Sequence, residues 1–196
     1  RMLAAATARS VAPGSAAPEA AARSPATGPP AGRDPRPEGA DVSIEINNES
    51  GFDIDESALQ RLVLHAFDAL RVHRDAELAI QLVDEGAMER LHIEWMDEPG
   101  PTDVLSFPMD ELRPGSDEEP TPPGLLGDIV LCPQVAVGQA EAAGHSTLDE
   151  LLLLTTHGLL HLLGFDHAEP EEEREMFGLQ RDILVSFALD ERKRRP

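Results

Sequence analysis

Apolar residues along this chain follow two periods, and the places where the period changes mark its elements. Across residues 42–47 they alternate with polar ones, as in a half-buried strand. After Asp55 the spacing lengthens, and Leu59, Leu62, Val63, Ala66 and Leu70 fall on one helical face. Residues 77–83 return to a strand pattern, and Asp84 stands where it can cap a short helix carrying Met88, Leu91 and Trp95. Pro99, Gly100 and Pro101 break the chain before a third strand at 103–107, which Pro108 stops. A fourth strand at 127–132 leads into a helix that opens on Pro133 and ends at Gly144.

The next helix differs from the others. From Leu148 to Leu163 it is apolar nearly all round, the signature of a helix buried by neighbours on several sides. Thr147 and Glu150 read as a capping box at its start. Pro170 and the glutamates after it open a last helix with Met176, Leu179, Ile183, Leu184 and Phe187 on its apolar face, and residues 191–196 read as a solvated basic tail. Residues 109–124, rich in acid, Pro and Gly, predict a long exposed loop that forms one wall of a cleft. His65 and His73 lie off or beyond the apolar stripe of their helix and read as solvent histidines. The mixture predicts an α+β (α/β-type) domain over residues 42–190, with a four-stranded mixed sheet covered by helices and a buried central helix.

Composition changes this picture at the start of the chain. Residues 1–40 hold 13 Ala, 7 Pro and 4 Gly with no aromatic residue, too little apolar surface to offset the entropy of ordering. Residues 1–41 are therefore expected to be a disordered extension, with a targeting segment or a start placed upstream of the true one as the open alternatives. No apolar run is long enough to span a bilayer, so no membrane partner is expected. A single cysteine, Cys132, excludes an intrachain disulfide and fits a reducing, cytoplasmic setting; its expected role is a small buried apolar residue. The net charge of −21 argues against nucleic-acid binding through a broad basic face, although local charge is a separate matter.

Candidate chemistry is concentrated at the end of the buried helix. His157 and His161 are four apart, so both rings can point at one ion. Gly164 can end the helix in the left-handed conformation, and the returning chain can bring His167 to the same side. Three neutral nitrogens with a fourth position open is the plan of a catalytic zinc site rather than a closed structural one. His157, His161 and His167 are thus the candidate metal ligands. The spacing also matches the long metzincin motif, except that Gly158 stands where those proteases carry their general base. A peptidase built on this motif would need a carboxylate from elsewhere, such as Asp128 or the long loop.

Three segments, residues 101–108, 126–131 and 157–167, together resemble the YbeY family of bacterial single-strand endoribonucleases, in sequence and in order. The resemblance implies a zinc endoribonuclease with one zinc per chain, held by His157, His161 and His167. It also implies action in small-subunit ribosomal RNA 3′-end maturation and ribosome quality control. The partners it implies are ribosomal RNA and the small subunit, with small-subunit ribosomal proteins and the assembly GTPase Era. Many members carry a Tyr-Arg pair shortly before the Pro-Thr-Asp segment; here the pair is Trp95 and Met96, with Arg90 and Arg113 the nearest cations that could substitute.

Among the remaining candidates, Asp166 either orients a ligand histidine or caps the turn after Gly164. Asp103 and Asp128 either face the cleft or bond backbone at strand ends, and no residue is assigned as catalytic. Two other classes remain: a metallohydrolase of peptides or another ester, and a ribosome-assembly binding factor whose zinc is structural.

Overall fold

The computed structural model describes residues 3–4 and 44–194 of the chain. Four strands form the body of one mixed sheet: β2 (Ile44–Asn48), β3 (Glu77–Leu82), β4 (Val104–Pro108) and β5 (Leu125–Leu131). A two-residue strand, β1 (Leu3–Ala4), lies beside β4 in the order β1-β4-β5-β3-β2. Strands β2, β3 and β5 run parallel, whereas β4 is antiparallel to both β5 and β1. Apart from Leu3 and Ala4, the extension expected to be disordered lies outside the described residues.

Five helices complete the α+β fold: α1 (Glu56–Ala69), α2 (Glu85–Met96), α3 (Pro133–Ala143), α4 (Thr147–Leu162) and α5 (Pro170–Arg194). Their starts follow local chemistry. The side chains of Asp55 and Asp84 accept from the backbone N–H groups of Ala58 and Ala87 at the starts of α1 and α2. Pro133 sits in the first turn of α3, and Gly144 closes that helix at φ +79°. The capping box of α4 lies one residue earlier than expected, between Ser146 and Asp149, because the chain turns into the helix there.

The core lies mainly between α4 and one face of the sheet. Leu78, Ile80, Leu82, Val104, Ile129 and Leu131 meet Leu151, Leu154, Leu159 and Leu162 there, with α1 and α5 packed alongside. Gly158 makes this close approach work, since a Cβ at that position would stand 2.9 Å from Ser106 Oγ and 3.1 Å from Ile129 Cγ2. The opposite face carries a smaller cluster of Val83, Met88, Leu105, Val130 and Cys132 under α2. Cys132 is buried, as its composition suggested.

Several expectations are corrected by tertiary packing. Trp95 is not part of the buried face of α2; it is 42% exposed and meets Phe107 edge-on, while His92 takes the buried place. His65 is not a solvent histidine, because its Nε2 and Ser186 Oγ are 2.7 Å apart and its ring packs against Phe187, tying α1 to α5. The expected basic tail, as far as Arg194, is helical and belongs to the last turn of α5. Loop 109–124 buries Leu112 and Thr121 rather than being exposed throughout, and is tied to the end of α1 through Gly115 N–H to Leu70 O and Thr121 N–H to Arg71 O.

Candidate metal centre

The site begins with the end of α4. Gly164 N–H donates to His161 O and Phe165 N–H to Leu160 O, the paired bonds of a Schellman turn, with Gly164 at φ +83°. Phe165 then packs against the core, which fixes the direction in which the chain leaves the helix. Arg113, reaching back from the long loop, donates from Nη1 to Leu163 O and covers Gly164 so closely that a Cβ there would overlap its guanidinium. Helix, turn and loop together set the position of His167 relative to His157 and His161.

The three expected ligands are brought together. Their ligand nitrogens all lie within 4.8 Å of one another, and His157 and His161 are buried. The hydrogen bonds around them decide which nitrogens face inward. Phe165 O can only accept, so His161 Nδ1, 3.0 Å away, is its donor. His157 Nδ1 lies 2.9 Å from Gln180 Oε1 and donates in the same way. Both Nε2 atoms of the neutral rings are then lone pairs, facing one another at 3.0 Å, and His167 Nε2 is buried with no hydrogen-bond partner. Two lone pairs facing one another without a proton between them, beside a buried ring nitrogen of His167 that has no partner, are satisfied by a cation, so the residues present fit a metal ion held by three imidazoles.

Electrostatics favours the same state. Burial, reinforced by charge repulsion from His157 and His167, pushes His161 down to about 4. Burial likewise holds His157 below the ordinary histidine range. Neutral imidazoles are the form that binds a metal, so ligands kept unprotonated near pH 7 are ready for it.

The sign of the pH effect follows. The unfolded chain takes up a proton on His161 near pH 6.5, whereas the folded, metal-free protein does so only at about 4. Between those limits the unfolded state holds more protons, so the metal-free protein loses stability as pH falls through the window. Calorimetry is expected to show its melting temperature dropping from pH 6.5 towards 4, with a shallower drop once His161 is replaced by asparagine.

Gln180 is the functional residue that sequence reasoning missed. It lies on α5, 23 residues from its partner, and nothing in local spacing marks it. By orienting His157 it should strengthen metal binding, and Gln180→Leu is expected to weaken it roughly 10–100-fold. Competition with a coloured chelator would measure this, with circular dichroism to confirm an intact fold.

The other candidates separate. Asp166 Oδ1 accepts from the backbone N–H of His167 at 2.7 Å, so it caps the turn. Asp103 is buried and accepts from Val104 N–H, Thr102 Oγ1 and Gln139 Nε2, a strand-end network whose charge reaches His157. Asp128 pairs with Ala79 and Phe107 in the sheet, while its neighbour Ile129 faces Gly158. Alternation therefore sends Asp128 to the face opposite α4, away from the histidines. Arg113 reaches the α4 turn, whereas Arg90 stays beside Gly86 on α2.

The chain is similar to known proteins over this stretch. A sequence model of the family described as Endoribonuclease YbeY matches residues 44–188. The chain is 74% identical over 153 residues to a protein named Endoribonuclease YbeY from Clavibacter michiganensis subsp. michiganensis, covering 78% of this chain and 100% of that one. It is 72% identical over 152 residues to its namesake from Leifsonia xyli subsp. xyli, covering 78% and 99% respectively. Among solved structures, the solution structure of TM1509 from Thermotoga maritima aligns with a TM-score of 0.54 at 26% identity, over 78% of this chain and 93% of that one. No helix among the described residues is long and apolar enough to cross a membrane. With the family model matching residues 44–188, which hold β2 to β5 and the three histidines, the chain belongs to the Endoribonuclease YbeY family.

Proposed function

We propose that this protein is a zinc-dependent endoribonuclease that cleaves single-stranded RNA, acting in 3′-end maturation of small-subunit ribosomal RNA and in ribosome quality control. The observation that carries the reading is the convergence of three imidazole nitrogens, including the unpartnered buried Nε2 of His167, in a member of this family. The expected partners are ribosomal RNA and the small subunit with its proteins, together with the assembly GTPase Era. The expected setting is the cytoplasm.

Three neutral nitrogen ligands suit zinc. The chemistry that zinc supplies when bound at such a centre is polarisation of a phosphoryl oxygen and acidification of water. The chain's own residues prepare this. His157 and His161 present Nε2 because Gln180 and the Phe165 carbonyl hold their Nδ1 protons. Burial keeps both rings from protonating near neutral pH. The rigid end of α4 and the turn behind it keep the three rings in register, which matters because small misplacements at a reacting centre are costly.

The peptidase alternative loses support from two placements. Gly158 faces the sheet, not the histidines, and Asp128 projects to the other face. The test is cleavage of a single-stranded RNA spanning the small-subunit 3′ end, using metal-quantified protein before and after chelation and zinc add-back. About one zinc per chain and cleavage that follows zinc content support the reading. Zinc retention without cleavage would overturn it in favour of an assembly factor.

A further inference from the structure

Phe177 lies on α5 one helical turn before Gln180, on the side that faces the metal centre. Its ring centroid is 5.7 Å from that of His167 and 6.0 Å from that of His157. It leans over both imidazoles at interplanar angles of 31° and 37° rather than standing edge-on to them. Phe177 is nonetheless 38% exposed and packs into neither hydrophobic cluster, although α5 buries Met176, Ile183 and Phe187 on its core side. The fold thus spends an aromatic residue beside the candidate centre without using it for the core.

Charge gives a reason for an aromatic at this place. A chain with a net charge of −21 gains little from neutralising phosphates. Arg113, which reaches the α4 turn, already donates to the carbonyl of Leu163. Every nucleobase has a π-face, and stacking on an exposed aromatic ring holds single-stranded nucleic acid without base identity or a basic surface. Stacking also demands an unpaired base, which a duplex does not offer.

We propose that Phe177 is a positioning residue: a base of single-stranded RNA stacks on its exposed ring and brings the neighbouring phosphodiester to the three histidines. The proposal rests on the nuclease reading, deepens it to single-strand selection at this ring, and is tested separately from it. The full zinc-loaded chain, Phe177→Leu and Phe177→Trp are titrated into a 2′-O-methyl RNA oligonucleotide carrying 2-aminopurine, and steady-state cleavage of the unmodified RNA is measured alongside zinc content.

Wild type is expected to quench the 2-aminopurine on binding. Phe177→Leu is expected to bind about tenfold more weakly, to lose the quench, and to raise KM more than it lowers kcat at unchanged zinc content. Phe177→Trp should restore binding and quench. Equal affinity and KM in Phe177→Leu would overturn the proposal and leave the nuclease reading standing, as would loss of zinc from that variant, which would make the ring a support for the ligands. Wild type that binds and quenches but never cleaves would overturn the nuclease reading and leave the stacking site standing.

Discussion

His161→Ala is expected to abolish metal retention and RNA cleavage together while leaving a folded protein. His161 carries more of the site than its neighbours do. Its Nδ1 is tied to Phe165 O in the turn that returns His167, and its Nε2 faces that of His157. Removing the ring deletes one of the three candidate ligands and also frees the turn that positions another. Metal affinity should therefore fall by more than the roughly 10–100-fold typical of losing a supporting residue behind a ligand. The fold should survive, because α4 remains packed through Leu151, Leu154, Leu159 and Leu162, and the exposed end of the cut is a single carbonyl costing about 1–3 kcal/mol. Metal analysis after gel filtration, circular dichroism and RNA cleavage measured on the same preparation would check this. A variant that keeps zinc and cuts RNA at the wild-type rate would remove His161 from the centre.

Gly158→Glu is the second large effect, and it falls on stability. A glutamate here would place the metzincin general base at its usual position in the motif, yet the side chain has nowhere to go. Its Cβ alone would meet Ser106 Oγ at 2.9 Å and Ile129 Cγ2 at 3.1 Å. Ser106 Oγ donates to the Gly158 carbonyl at 3.3 Å, so helix and strand already touch. Overpacking costs about 1–3 kcal/mol and an unpaired buried carboxylate adds several more, so a loss above about 4 kcal/mol is expected, with little soluble protein. Gly158→Ala should be milder, since alanine recovers about 1 kcal/mol of helix propensity against the same crowding. Denaturant unfolding gives both numbers. A soluble Gly158→Glu protein with peptidase activity would show that the position faces the centre after all.

These two residues also show what a sequence discloses and what it hides. His157, His161 and His167 were legible because their geometry is local: one helical turn, one glycine and a three-residue return carry all the information. The strands and helix starts were legible for the same reason, since alternation and caps act within a few residues. Gln180, Arg113 and the side of the sheet taken by Asp128 were not, because each depends on how separate elements meet. Trp95 and His65 failed likewise. An apolar period predicts a buried face, but the partner that arrives decides whether Trp95 or His92 is covered. The one-residue slip of the α4 capping box reflects two adjacent residues that can both cap, Ser146 and Thr147, of which serine is the better N-cap.

All three imidazoles lie within eleven consecutive residues, 157–167, and this affects more than their geometry. Gathering ligands from distant parts of a chain costs loop-closure entropy, whereas here the loops are short and that cost is small. The denatured chain therefore keeps the same nitrogens within reach of one another and would compete with the native protein for a metal ion. Ligand-induced stabilisation depends on the difference between native and denatured affinities. Zinc should consequently raise the melting temperature by less than its native affinity alone would suggest. What distinguishes the native centre is not the gathering of the three rings but the partners that arrive from afar, Gln180 on α5 and Arg113 from the long loop.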